Sequence, residues 1–467
     1  MALSRIWSAF VIIAILVATV KYTFQPGQQK IFSNLVTGKS TDTLSSRFVD
    51  SASVPAGVIN QLNYDKVAIW DKERVAKEGN GYRAFRLLPT NGIIDTCKTA
   101  VEICIGLIGI MALFMGFMGI AERAGGVRFL SRIIGPFFSR IFPDIPKGHP
   151  SMGHMMMNFS ANLLGLDNAA TPFGIKAMES LQELNPDKTR ASNAQVMFMC
   201  LHAAGLTLIP VAIIAARAAM KPPAASPTDI FVPCMIATFV ATMAALFMVS
   251  IKQKINIFQP VLIGWIGGIS AIIAALVWYL TSLSTERVQL VSGIIGNGIL
   301  LAILFLIVIG GIYKKINIFD AFIEGAKGGF ETAIRIIPYL VGLLVAISLL
   351  RNSGTFEFII DGIKNIFSAI GTDTRFVDGL PTALVKPLSG SGARGMMIDT
   401  MSAYGADSFA GRLSCVLQGS SDTTFYVIAV YFGAIGVKNT RYSVGIMLLA
   451  DLVGIITSIL LAYLFFG

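Results

Sequence analysis

Charge is what this 467-residue chain has least of: Asp, Glu, Lys and Arg make up 14% of it, against about a quarter in an ordinary soluble domain. Histidine occurs three times and cysteine five times. His149, His154 and His202 lack zinc-type spacing with a Glu or Cys, and no two cysteines form a CxxC pair, so no metal site is expected. Cys97, Cys104, Cys200, Cys234 and Cys415 fall inside or beside apolar spans and read as small hydrophobes rather than disulfide partners. No P-loop is present, and no nucleophile–base–orienter set, which argues against an enzyme and against nucleotide-driven work.

What the chain has in abundance is apolar length. Hydrophobic residues make up 54% of it, the mean hydropathy is +0.70, and runs of about 20 apolar residues, enough to cross a bilayer's hydrocarbon core, recur throughout. A soluble enzyme, a nucleic-acid binder and a disordered chain are all excluded. The net charge of +10 sits mostly at the ends of apolar spans, where it signals topology and contact with anionic headgroups rather than nucleic acid.

Spanning helices are expected near 6–22, 97–120, 195–217, 228–250, 257–281, 290–313, 333–350, 413–434 and 441–466. The first lacks an A-x-A cleavage site and reads as a retained anchor. Residues 23–90 are polar and rich in turn formers, an extramembrane insertion of unassigned fold. With Arg5 inside, the denser basic set (Arg123, Arg128, Arg132, Arg140, Lys147, Lys188, Arg190, then Lys252, Lys254, Lys314, Lys315, Lys438, Arg441) falls on the inner side, as the positive-inside rule asks. The insertion and the C-terminus then lie outside. The count closes only if 150–180 and 379–404, both broken by Gly, Ser, Asn and Pro, enter and leave on one side as re-entrant hairpins. Segments 127–142 and 356–370 carry charge on a helical period and suit helices lying in the interface.

The chain also matches itself. An offset of 229 pairs Lys98 with Lys327, Glu102 with Glu331, Gly125 with Gly354, Ser160 with Ser389 and Thr171 with Thr400; later the offset is 216, pairing Leu201 with Leu417 and Thr207 with Thr423. Helix 6–22 corresponds to 290–313 with four crossings between, so the second copy starts on the opposite face, and 257–281 is the odd linker that permits the inversion. Inverted repeats with broken hairpins at matching positions are the architecture of secondary transporters. The expected fold is therefore an all-α polytopic membrane protein: 1–22 a first membrane helix, 23–90 an extracytoplasmic insertion, 91–256 one repeat, 257–289 a linker helix and 290–467 the inverted second repeat, with about nine spanning helices plus interfacial ones.

Candidate site residues follow from the tips, where N–H and carbonyl groups freed from the helix ladder face inward. The first hairpin offers Asn158, Ser160, Asn162, Asp167, Asn168 and Thr171; the second offers Lys386, Ser389, Ser391 and Arg394. "QGSSDTTFY" (418–426) interrupts helix 413–434, which is expected to unwind there, adding Gln418, Ser420, Asp422 and Thr423. Its repeat counterpart "LHAAGLTLIP" (201–210) is far less polar, which predicts an asymmetric site. Ionisable groups at depth are costly, about 2.5–3.5 kcal/mol each on insertion scales. Lys386 and Arg394 together predict a small polar or anionic solute. Asp167 or Asp422 is available for a coupling Na+ or H+, and no other cofactor is expected. Lys98/Glu102 and Lys327/Glu331 read as i, i+4 ion pairs.

At these motifs the sequence resembles the spore maturation protein A and B families joined in one chain: "NFSANLLGLDNAATPFGIKAMESLQELNP" (158–186) is A-like, while "KPLSGSGARGMMIDTMSAYGADSFAGRL" and "QGSSDTTFYVIAVYFGAIGVKNTRY" (386–413, 418–442) are B-like. Both belong to the nucleoside-recognition or "Gate" superfamily, whose domains also occur in concentrative nucleoside transporters and in the ferrous iron transport protein B. The resemblance implies two Gate domains, a multi-pass protein of the bacterial inner membrane, a homo-oligomer, and passive or ion-coupled transport. His202-Ala203-Ala204-Gly205 departs from the more polar stretch usual in A-type proteins. A membrane scaffold or assembly factor that uses the same fold for partner contact, and an ion channel, are the competing functions.

Overall fold

The computed structural model describes residues 2–25, 28–49, 55–64, 67–70, 73–78, 81–163, 167–283 and 285–467. The chain begins with α1 (Ala2–Phe24) and α2 (Ile31–Thr37), then β1 (Lys39–Val49), α3 (Ala56–Tyr64), β2 (Val67–Trp70), β3 (Glu73–Glu78) and β4 (Gly81–Thr90). Helices follow to the end: α4 (Ile93–Arg123), α5 (Gly126–Ile141), α6 (Pro150–Leu163), α7 (Asp167–Leu184), α8 (Asn193–Ala204), α9 (Val211–Ala219), α10 (Phe231–Gln253), α11 (Pro260–Thr281) and α12 (Thr285–Tyr313). The remainder are α13 (Ile318–Asn352), α14 (Thr355–Ala369), α15 (Leu380–Val385), α16 (Gly390–Tyr404), α17 (Phe409–Gly419), α18 (Thr424–Ala434) and α19 (Ser443–Phe466).

Among the described residues, seven helices are long and apolar enough to cross a membrane: α1, α4, α10, α11, α12, α13 and α19. The apolar windows of α11 and α12 are only 6% buried, leaving Ile272, Trp278, Leu301, Phe305 and Leu306 outward. Water would not tolerate that much exposed apolar surface, whereas lipid tails match it. This is a multi-pass membrane protein. The two remaining expected spans, 195–217 and 413–434, are each divided into two short helices, so neither crosses as an unbroken rod. For 413–434 the polar run announces the division. For 195–217 the expectation of a continuous helix fails for a conformational reason: Gly205 takes the left-handed conformation at φ +63°, and Pro210 lacks the N–H needed to carry the ladder through.

The chain divides into two compact units, Met1–Glu102 with Pro338–Val377, and Ile103–Ile337 with Asp378–Gly467. In the first, the insertion that the sequence left without a fold contains an antiparallel sheet in the order β1-β4-β3-β2. Val75 pairs Ala84 and Ala68 pairs Val75, and Leu62, Ala68, Val75 and Tyr82 are buried together with Val58 and Ile59 of α3 packed against them. The all-α expectation therefore holds for the membrane helices and not for this insert. In the same unit α1 is tied down by Trp7 Nε1 donating to Gly342 O (2.7 Å) and Lys21 Nζ donating to Ser353 O (2.7 Å).

In the second unit the repeat-equivalent helices α4 and α13 cross antiparallel through glycine. A Cβ on Gly119 would meet Ala321 O at 2.6 Å and Gly325 Cα at 3.0 Å, and one on Gly329 would meet Met111 O at 2.6 Å; only the missing side chains allow backbones this close. The repeat is visible in detail as well. Gly125 and Gly354, paired by the sequence offset, both sit in the left-handed region (φ +80° and +73°) at the starts of α5 and α14. Each lysine of the matched positions also pairs one turn back: Lys98 reaches Asp95 at 3.4 Å and Lys327 reaches Glu324 at 3.2 Å. The core runs from α5 inward as an aromatic series, with ring centroids 4.8 Å apart for Phe138–Phe159, 5.9 Å for Phe159–Phe198 and 6.4 Å for Phe198–Tyr431.

Candidate functional site

Two divided helices form the site. The serines 216 apart cap their starts: Ser192 accepts from Gln195 N at 3.2 Å before α8, and Ser408 accepts from Gly411 N at 3.0 Å before α17, each satisfying an N–H that has no partner in the helix. From those caps the α8–α9 and α17–α18 rods run antiparallel. At one end Ala191 N donates to Asn439 O (2.9 Å), and Lys438 N donates to Thr189 O (3.0 Å). At the other end Arg217 Nη1 donates to Ala406 O (2.7 Å). Midway the breaks touch, with Asp422 N donating to Ala203 O at 2.8 Å. A Cβ on Gly205 would lie 3.3 Å from the carbonyl carbon of Ser421. At the offset of 216, Ser421 is Gly205's own counterpart. A residue that meets its own equivalent marks a two-fold axis, and here the axis passes through both breaks. The two broken helices, one from each repeat, are thus packed antiparallel.

A helix pair reaches each break. In α6–α7, His154 Nδ1 lies 2.9 Å from Ser180 Oγ and Asn158 Nδ2 donates to Ala170 O at 2.7 Å, which defines an antiparallel hairpin. Its tip is joined to the first break where Leu208 N donates to Leu163 O (2.9 Å). The shorter pair α15–α16 is joined to the second break where Phe425 N donates to Pro387 O (3.0 Å), and Lys386 Nζ donates to Gln418 O at 2.6 Å, the carbonyl end of α17. That placement suits an ammonium group, because carbonyls at a helix C-terminus carry partial negative charge. The outer end of α6–α7 lies near the Asn439 contact, through Gln182 Nε2 and Ile435 O (3.4 Å), and the outer end of α16 lies near Arg217. The two pairs therefore approach the breaks from opposite ends.

A cavity of about 420 Å³ lies between these parts. Of the residues proposed from sequence, Asn162, Thr171, Lys386, Arg394, Gln418, Asp422 and Thr423 line it. Five others do not line it. Asn158 and Ser160 are fully buried, the latter 3.3 Å from Ser131 Oγ; Ser389 caps α16 by accepting from Gly392 N at 3.0 Å, with exposed Ser391 3.3 Å away; Ser420 Oγ donates to Leu417 O at 2.9 Å. The side chains of Asp167 and Asn168 lie outside the described residues. His202, Thr207, Thr238, Thr332 and Tyr426 line the cavity without having been singled out.

His202, near the end of α8, is the largest omission. Its Nε2 is 3.7 Å from Asp422 Oδ2, and its Nδ1 is 3.0 Å from both Asn158 Oδ1 and Asn162 Nδ2. Tyr431 packs edge-on against the ring at 4.8 Å. The expected asymmetry thus concerns polarity only, for the backbone is interrupted in both repeats. The available signal was the offset itself, which sets 201–210 against the openly broken 417–426. Among the described lining residues two fixed cations, Lys386 and Arg394, face one carboxylate, Asp422. All five cysteines are free, four of them buried.

The antiparallel broken helices around this cavity belong to a multi-pass membrane protein with two Gate regions: residues 104–220 and 333–438 match the Gate family model, described as nucleoside recognition. The chain is 48% identical over 175 residues to spore maturation protein B of Bacillus subtilis, covering 37% of this chain and 97% of that protein. To spore maturation protein A of the same organism it is 41% identical over 156 residues, covering 33% and 79%. The chain belongs to the spore maturation protein A and B family, carrying both types in one polypeptide. No solved structure matches it.

Proposed function

We propose that this protein is a secondary transporter of the bacterial inner membrane that moves a small polar or anionic solute through the cavity at the two breaks. In the bilayer the two helix pairs act as re-entrant hairpins from opposite leaflets, with the repeats at 91–256 and 290–467 and the insertion outside. The observation that carries this reading is the meeting of two broken antiparallel helices at a polar cavity, since a sealing bundle has no use for interrupted backbone at membrane depth. A volume of about 420 Å³ falls within the range of small-ligand sites. Arg394 and Lys386 favour an anion, while Asn162, Thr171 and Thr423 offer neutral hydrogen bonds. Movement of the tips relative to the breaks opens the cavity to alternate sides. A coupling Na+ or H+ fits beside Asp422, and assembly as a homo-oligomer fits the fold class.

The test is thermal stabilisation of purified protein by a panel of dicarboxylates, nucleosides and metal ions, with and without Na+, followed by uptake into proteoliposomes. A ligand at 100 times its Kd stabilises by about 2.7 kcal/mol, so the expected result is a raised melting temperature with dicarboxylates that is lost in Lys386→Met. Full uptake with unchanged preference in that variant removes the anion assignment. Absence of both stabilisation and uptake for every class favours a membrane scaffold instead.

A further inference from the structure

We propose that His202 is a proton-binding site that couples the ring's protonation to the position of the end of α6 at Asn162 and Leu163, with Asp422 and Asn158 holding the charged state. This rests on the transport reading for its purpose, but not for its test.

One nitrogen of His202 is claimed by two groups of opposite demand. Asn158 is oriented by its Nδ2, which donates to Ala170 O at 2.7 Å, so its Oδ1 is the atom turned to His202 Nδ1 at 3.0 Å. An oxygen there requires a proton on Nδ1. Asn162 brings Nδ2 to the same Nδ1, also at 3.0 Å, and a donor there requires a lone pair. Imidazole can satisfy one or the other, never both. Nε2, meanwhile, faces the Asp422 carboxylate at 3.7 Å and keeps its proton in either state.

Two states follow. In the neutral ring the proton is on Nε2 and Nδ1 accepts from Asn162. In the charged ring a proton arriving from the cavity, which His202 and Asn162 both line, adds to the Nδ1 lone pair. The new N–H donates to Asn158 Oδ1, the positive ring faces Asp422, and the Asn162 amide must turn or withdraw because two donors now oppose each other. Asn158 is the less mobile of the two, fully buried and held by Ala170 O through its Nδ2. Asn162 sits one residue from Leu163, whose carbonyl accepts from Leu208 N. The change is therefore delivered to the joint between the end of α6 and the first break.

The surroundings contain the charges such a switch must work against. Asp422 acts electrostatically on Tyr431 of α18 and on Asp451 of α19, and Tyr426 of α18 acts on Tyr431. Lys386 interacts with Asp451, and Arg394 of α16 lines the same cavity. Among the described residues Asp422 is the acid nearest the ring, and it belongs to the other repeat, so protonation of the ring also tightens the contact across the two-fold axis.

The chain has three histidines, which makes the experiment direct. Full-length protein labelled with 15N-histidine is titrated in detergent from about pH 4.5 to 8.5, spanning the usual histidine range, with resonances assigned through His149→Gln and His154→Gln. No transported solute is needed. The expected result is a titrating His202 that holds the Nε2–H tautomer when neutral. Its midpoint moves by about one pH unit in Asp422→Asn, as loss of an adjacent opposite charge requires, and moves the opposite way in Asn162→Ala, which removes the group favouring the neutral ring. A ring fixed in one form across the range, or midpoints that shift in the same direction in both variants, overturns the proposal. Because wild-type protein alone decides whether His202 titrates, a variant that fails to fold does not shelter it. A His202 that titrates as expected in a protein that moves no solute would sink the transport reading and leave the proton site standing.

Discussion

Replacing Arg217 with Met tests whether the charged cluster at one end of the broken helices holds the repeats together. Arg217 ends α9 with no solvent exposure. Its guanidinium donates to Asp229 Oδ1 at 2.9 Å, Asp407 Oδ1 at 3.1 Å, Ala406 O at 2.7 Å and Ser226 O at 3.2 Å. Arg412 completes the set by donating from Nε to Asp229 Oδ2 at 2.7 Å, and Asp407 Oδ2 accepts from Ala225 N at 2.8 Å. Two arginines and two aspartates balance, so Arg217→Met leaves a net negative charge and two carbonyls without that donor. Breaking a buried pair from one side costs about 3–5 kcal/mol. The Asp407 side chain is 37% exposed and partly screened by solvent, which puts the expected loss near the bottom of that range, about 3 kcal/mol. Asp229→Asn added to Arg217→Met removes the surplus charge, and its coupling to the first change should be about 1–2 kcal/mol in a double-mutant cycle. Unfolding of the purified protein in mixed detergent micelles, titrated with SDS, reads both quantities. An Arg217→Met protein within about 0.5 kcal/mol of wild type, the range of ordinary surface changes, would show that the cluster does not hold the repeats together, as would a double variant equal to the sum of its parts.

Two further outcomes follow from close approach and from an exposed turn. A Cβ on Gly325 would lie 3.0 Å from Gly119 Cα and 3.1 Å from Gly119 N; these are backbone atoms that cannot rotate away, so Gly325→Ala should lose about 1–3 kcal/mol in the same SDS titration, while Gly328→Ala, with open space around it, should lose little. Asp187, in the turn before α8, is held below the usual carboxylate range by the Thr189 N–H and hydroxyl, which bond Oδ1 at 3.0 and 2.8 Å. Its contribution to stability is therefore present above the unfolded value of about 3.9 and lost as pH falls through the lower folded one. The melting-temperature gap between wild type and Asp187→Asn should accordingly close below about pH 4, and a gap constant from pH 7 to pH 3 would contradict it.

The parts of the fold legible in the sequence are those encoded by composition over a window. Seven long spans stand out because lipid demands about 20 apolar residues in a row, and the helix tips because Asn, Ser and Gly interrupt such runs. The division at 418–426 was legible for the same reason. The division at 205–210 is a different kind of fact. "LHAAGLTLIP" is apolar enough to pass for part of a span; what breaks it is a backbone angle at Gly205 and a missing N–H at Pro210, and hydropathy registers neither. The repeat offset did contain that information, since a helix that unwinds in one copy should unwind in the other. Polarity was the wrong quantity to compare between the copies.

His202 shows the same limit at the level of a side chain. Nothing beside it in sequence looks like chemistry, and its short distance to Ala203, Ala204 and Gly205 argues for packing. Its partners come from 44 and 40 residues upstream and from Asp422 in the opposite repeat. No spacing rule reaches that far. Symmetry does: once the two helices are antiparallel and pivot on Gly205 and Ser421, the residues flanking the pivot must face one another, His202 and Ala203 against Asp422. A broken helix in an inverted repeat therefore predicts its own partner residues, and the polar run in one copy points to the few positions in the other where a lone histidine has something to bind.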